Sequence, residues 1–226
     1  MYAASTVIIV VDVKKKDNFN MKELSQKYIK RLANRQWFHA TDKEGLQNIL
    51  KMRVLADYNK GSELDFGFGF YLSSSLEEAK NYINRLYHAA PYDDESIIIE
   101  FDFHPLTYFS NVAYNAHIFP HFNDEFAEFV FKNRWHAHTT SSNLCQQQHT
   151  YDIIYGCMSD SNPTNLLSQY EQSEISYLDV IEGLKKDNRA KQLSIHNQEI
   201  CSTLTITHIY QYCPKTQLLK EVLYHE

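Results

Sequence analysis

The chain has no long apolar run, no basic tract, no closely paired cysteines and no internal repeat, and each absence removes a class of answer. No stretch approaches the roughly 18 apolar residues of a membrane span, so no membrane association is expected. The opening "MYAASTVIIVVDVKKK" carries its positive charges after a short apolar run instead of before it, so it does not read as a secretion signal. The cysteines Cys145, Cys157, Cys201 and Cys213 form no CxxC pair. Reduced thiols in a cytoplasmic protein are the expectation, or delivery into a target cell by a signal-independent route. The net charge is −6 and "VKKKD" (Val13 to Asp17) is the nearest thing to a basic run. A broad electrostatic footprint for nucleic acid is therefore not expected, although a local groove stays open.

What is present is enough apolar material for a core: 226 residues, 43% of them hydrophobic. Thr6 to Asp12 reads as a buried strand and Met21 to Asn34 as a charged helix, together an N-terminal extension over residues 1–35. From residue 36 to 226 the pattern is that of one α+β domain. "QWFHAT" (Gln36 to Thr41) predicts a strand, followed by a helix capped by Thr41 or Asp42. A helix is expected from about Ser75 to Leu86 and a strand from Ser96 to Phe103. Asp124 to Arg134 and Ser176 to Asp187 have helical spacing. Tyr151 to Met158, Lys191 to Asn197 and Ser202 to Tyr212 have the alternation of strands, and Ala137 to His149 reads as polar loop.

The stretch "LDFGFGFYLSSSLEEAKNY" (Leu64 to Tyr82) raises the functional question. Gly67 and Gly69 allow a backbone to bend or to approach something flat, delivering Tyr71 to the end of an aromatic strand. Tyr82 follows one helix leg later. Two rings held by a strand and the helix returning beside it make a slot for a planar heterocycle. With aromatics at 14% of the chain, two tyrosines eleven residues apart are by themselves ordinary core and surface.

"FHAT" followed by "GFGFYLSSSLEEAKNY" resembles the first two motifs of the ADP-ribosyltransferase superfamily, in its diphtheria-toxin and poly-ADP-ribose-polymerase branch. His39, Tyr71 and Tyr82 match that branch's NAD-binding histidine, tyrosine and second aromatic. The chain is most similar to an uncharacterised bacterial group, found alone or as toxin modules, that shares DFGxGFY, FVxxNR, YDIVxG and QxSFH-like motifs. Here those are Asp65 to Tyr71, Phe129 to Arg134, Tyr151 to Gly156 and Gln192 to His196. The resemblance implies a split β-sandwich with flanking helices and transfer of ADP-ribose from NAD, as substrate and without a metal, to a protein or nucleic acid. It also implies a toxin or defence role with a possible antitoxin or immunity partner. NAD glycohydrolysis, or an inactive nucleotide-binding or interaction module, stays open beside it.

NAD loses nicotinamide through an oxocarbenium-like transition state, so a site must hold the leaving ring, the adenosine end and the ribose between them. The resemblance gives the ring to Tyr71 and Tyr82 beside the bend at Gly69. It gives the adenosine ribose to His39, and the carboxamide to the backbone at Ala40 and Thr41 with Ser73 or Ser74. Asn133 and Arg134 are candidates for the pyrophosphate or for support, or simply a helix end.

The third element departs from the usual late-strand glutamate. Gln192 holds the motif position, and its amide can bond a ribose hydroxyl but cannot act as a base. Glu128 is the obvious carboxylate, yet on a helix it points about 150° away from the apolar stripe. His136, His138, Cys145 and His149 include a spacing usable for zinc, but in a polar loop with no second clustered pair they do not make a zinc site. His117 and His121 read as part of a loop before the helix, either an acceptor-recognising surface or simply a partly exposed aromatic turn.

Overall fold

A computed structural model describes residues 21–91, 96–159, 163–185 and 190–222. The strand expected over Thr6 to Asp12 lies outside them. The fold is mixed α+β, and the described elements begin with α1 (Met21–Leu32), β1 (Gln36–Thr41), α2 (Lys43–Met52), β2 (Phe70–Ser73) and α3 (Leu76–Ala89). Next come β3 (Ser96–Asp102), α4 (Leu106–Phe109), β4 (Ala116–Phe119), α5 (Asp124–Thr139), β5 (Ile153–Cys157), α6 (Pro163–Glu171) and α7 (Tyr177–Leu184). The chain closes with β6 (Lys191–Ile195), α8 (Gln198–Cys201), β7 (Thr205–Cys213) and β8 (Leu218–Val222). Among the described residues no helix is long and apolar enough to cross a membrane.

Helix starts follow local chemistry. Asp42, Ser75, Asn123 and Ser176 accept backbone N–H bonds from Gly45, Glu78, Phe126 and Asp179. Each such cap contributes about 1 kcal/mol.

The strands form one sheet in the order β4-β5-β6-β2-β1-β3-β7-β8. Every neighbour is antiparallel except β4 with β5. Its middle is weakly stitched: β1 matches β3 over six residues and β2 matches β6 over four, but β1 and β2 share one register pair, Phe38 with Ser73.

Alternating side chains bury the two faces differently. On one face a continuous core runs across this seam, with Trp37, Ile97 and Ile99 on one side of it and Tyr155, Leu193 and Ile195 on the other. Tyr28 and Leu32 of α1 and Leu46 and Ile49 of α2 pack into the same core. On the opposite face the core is divided. Phe38, Ile98 and Tyr212 lie with Ala79 and Ile83 of α3, while Ile154 packs against Phe126 and Val130 of α5 and Val180 and Leu184 of α7. The gap between these two clusters lies over β1, β2 and β6.

Three sequence expectations change. The aromatic strand is short, because Asp65 to Gly69 is turn and bend and only Phe70 to Ser73 pairs. Gly67 has φ +77°, and the Asn59 side chain brackets Gly69 with bonds to its N–H (2.9 Å) and from Nδ2 to its carbonyl (2.8 Å). A Cβ on Gly69 would lie 2.6 Å from the His196 ring, so the glycine makes room for a histidine of the protein itself. The polar loop starts later than expected, since α5 runs on to Thr139 and carries His136 and His138 in its last turn. His117 stands on β4, stacked on Tyr151 at 4.7 Å, instead of in a turn.

Candidate active site

A cleft of about 670 Å³ opens where β1 and β2 part, within the ~300–1,000 Å³ range of small-molecule sites. Its walls are α2 and the segment after it, α3, and the ends of β1, β2 and β6. Of the residues expected from the sequence, His39, Ala40, Thr41, Gly69, Tyr71, Ser73, Tyr82, Arg134 and Gln192 line it.

The histidine occupies the parting of the strands. The Tyr71 carbonyl can only accept, so His39 Nδ1 carries the proton and donates to it at 2.8 Å. This bond takes the place of a ladder bond between β1 and β2. The ring stacks on Phe70 at 4.3 Å, and burial lowers its pKa against the pull of that carbonyl. The result is a neutral imidazole whose Nε2 is an acceptor for a hydroxyl.

Tyr71 is held by its far end. Its hydroxyl donates to the Gly67 carbonyl (2.7 Å) and accepts from the Phe66 N–H (3.0 Å). Burial, with Asp65 nearby, keeps the phenol protonated well above its ordinary range. The ring lies parallel to Phe66 on one side and edge-on to His196. Tyr82 stands on the other wall, on α3, 36% exposed at the mouth.

Below these rings lies a carboxylate that the sequence reading passed over. Asp65, 3% exposed, accepts at Oδ1 from Arg134 Nε (2.8 Å) and Nη2 (2.7 Å), and at Oδ2 from the Ser159 N–H (2.9 Å) and Gln192 Nε2 (2.8 Å). Arg134 also donates from Nη1 to the Glu63 carbonyl. Arg134 is thus consumed in holding Asp65, and is not the exposed helix-end cation its position implied.

Two other guanidiniums reach the cleft, Arg53 after α2 and Arg85 on α3. Among the described residues neither forms an ion pair; Arg85 donates a hydrogen bond to the Met158 sulfur, at 3.1 Å. With Asp65 already balanced by Arg134, the described lining is net cationic and suits an anionic ligand. Ser159 Oγ, buried on the lining, has no hydrogen-bond partner among the described residues. Arg85 follows Tyr82 by three residues, so helical spacing alone puts both on one face. Asp65 begins the aromatic-glycine stretch itself, but nothing local in the sequence pairs it with residues 134, 159 and 192.

Three expected residues are not in the cleft. Ser74 serves the start of α3, its hydroxyl and N–H both donating to Glu78 Oε2 (2.6 and 3.0 Å). Asn133 is buried on α5 itself, donating to the Phe129 carbonyl one turn earlier at 2.8 Å. Glu128 is exposed on the outer face of α5, where the helical spacing puts it.

The histidines weighed for zinc have other partners. His136 Nε2 accepts from the Gln146 N–H, His138 lies between Glu63 and Glu171, and His149 donates to the Phe66 carbonyl. Among the described residues no group of three or more ligating side chains comes together for a metal.

No curated protein and no solved structure matches the chain. A family model described as "Protein of unknown function (DUF3990)" matches residues 36–206, a span that begins with β1 and contains His39, Tyr71, Tyr82 and Gln192. That match covers more than half of the sequence, and the chain belongs to the DUF3990 family.

Proposed function

We propose that this protein transfers ADP-ribose from NAD to a macromolecular acceptor, protein or nucleic acid, with release of nicotinamide. The observation that carries the reading is convergence: His39, Tyr71, Tyr82 and Gln192, spread from residue 39 to residue 192, line one cleft whose described lining has a cationic surplus. The resemblance assigns these side chains to one substrate, and its split sandwich would part at the seam between β1 and β2.

Each residue then has a chemical task. Tyr71 and Tyr82 flank the nicotinamide, a cation when bound and neutral on leaving, so a ring slot loses little as the C–N bond breaks and its electron pair goes to the ring. His39 Nε2 accepts from the adenosine ribose, and Arg53 and Arg85 offset the pyrophosphate. Gln192 is the third element. A toxin or defence role, with an antitoxin or immunity partner, belongs to the same proposal.

A second reading has its own support. The one carboxylate on the described lining, Asp65, already accepts four hydrogen bonds and is not available as a base. An NAD-binding module without turnover fits that lack.

Incubation of the full chain with labelled NAD and cell extract separates the outcomes. Nicotinamide release with label on a macromolecule supports transfer; release alone means glycohydrolysis; binding without release supports the second reading. In the first case Gln192→Ala slows release by roughly 10²-fold, while Glu128→Gln leaves it unchanged. The reverse pattern overturns the assignment of Gln192.

A further inference from the structure

The contacts around Gln192 fix which end of its amide meets a ligand. Gln192 is 5% exposed, and backbone pairing with Ser73 on one side and Gly156 on the other sets its place on β6. Its Nε2 faces two acceptors, Asp65 Oδ2 at 2.8 Å and the Cys157 carbonyl at 3.3 Å. Both amide hydrogens are therefore committed. Turning the amide over would bring Oε1 against a carboxylate and a carbonyl, three acceptors together in a buried place. Asp65 in turn cannot move aside, since Arg134 grips its other oxygen through two N–H groups and Ser159 N–H shares Oδ2.

We propose that Asp65 is the positioning residue of the cleft: by holding Gln192 Nε2 it presents Gln192 Oε1 to the ligand, so that this point accepts a hydrogen bond from a sugar hydroxyl. This deepens the NAD reading and rests on it for the sugar. It assigns the conspicuous acid of the cleft to orientation and the neutral amide to the substrate. In effect, the Asp65–Gln192 pair supplies the acceptor that a single glutamate would otherwise supply.

The proposal predicts that reversing the polarity of the pair preserves function. In Asp65→Asn, the two N–H groups of Arg134 draw the Asn oxygen to their side and leave its NH₂ facing Gln192. The Gln192 amide then inverts and offers a donor to the ligand. In Gln192→Glu, two carboxylates meet across 2.8 Å. Each single variant slows nicotinamide release by roughly 10²-fold, mainly in kcat. The double variant Asp65→Asn/Gln192→Glu restores a donor to an acceptor across the pair and turns a carboxylate oxygen to the cleft. Its activity returns to within about tenfold of wild type, the Cys157 carbonyl keeping the rescue incomplete. The Ser159 N–H loses its acceptor in both Asp65→Asn proteins, so that loss cancels in the cycle.

Thermal melting of the four unliganded full-length proteins gives the same cycle without NAD, and the double variant melts higher than the two single shifts sum to. A double variant no faster than its slower single, in an enzyme whose wild type turns over, overturns the positioning role. If the wild type releases no nicotinamide, the transfer reading fails and the melting cycle alone decides, additive shifts overturning the pairing. Should Asp65→Asn not fold, hydrogen exchange of the Gln192 side-chain amide in the wild type decides instead. Slow exchange of both hydrogens is expected, and fast exchange overturns the orientation.

Discussion

Tyr71 carries two jobs, and substitution separates them. Its hydroxyl closes the turn at Phe66 and Gly67, while its ring lines the cleft. Tyr71→Phe leaves a backbone N–H and a carbonyl without their partner, so it lowers the stability of the unliganded protein by about 1–3 kcal/mol yet keeps the ring for NAD. Tyr71→Ala loses both. In thermal-shift measurements the Phe variant melts lower but keeps the upward shift on adding NAD, and the Ala variant loses most of that shift. Equal NAD protection of wild type and Tyr71→Ala would falsify the ring slot. At this scale the sequence led to side chains that line the cleft and gave little sign of those defined by contact. His39, Tyr71 and Gln192 carry motif signatures that name a role, whereas Asp65 and Arg134 lie in the DFGxGFY and FVxxNR motifs and yet, like Ser159, take their partners only from a meeting of segments 69 or more residues apart, which no local pattern encodes.

At the scale of elements, the central strands and capped helices were legible because alternation and cap chemistry are local. The four-residue pieces α4, β4 and α8 are too short to carry a period. One junction between elements is titratable. His138, in the last turn of α5, lies 2.7 Å from Glu63 in the segment leading to Asp65 and 3.0 Å from Glu171 at the end of α6. The Glu63 hydrogen bond first, then that of Glu171, raise its pKa against the opposing effect of burial. A raised histidine stabilises the fold fully below its unfolded value, near 6.5, and that stabilisation disappears as pH rises through the folded value. His138→Gln is therefore expected to melt lower than wild type at about pH 5.5, the gap narrowing towards about pH 9. A gap that widens with pH would contradict the junction.

For the whole molecule the opposite sign dominates. His39, His149 and His196 are buried and held neutral, with His196 pushed down to about 3 by burial and then by His149, against the Phe68 carbonyl. Below about pH 6.5 the unfolded chain takes protons that the fold refuses, at up to about 1.4 kcal/mol per pH unit for each group. Urea unfolding is expected to show stability falling steadily from pH 7 to pH 5, before the carboxylates titrate; a level profile over that interval would rule out neutral burial of the three. One of these histidines also settles how the two halves of the sheet align. Strands normally set each other's register through repeated backbone pairs, but β1 and β2 have one, and the next link is the His39 imidazole on the Tyr71 carbonyl. The ring acts as a locating pin as well as a hydroxyl acceptor, so a His39 variant that loses activity has lost alignment and chemistry together. Separating them takes a replacement that still donates to that carbonyl, such as His39→Asn, which keeps the pin and removes the imidazole.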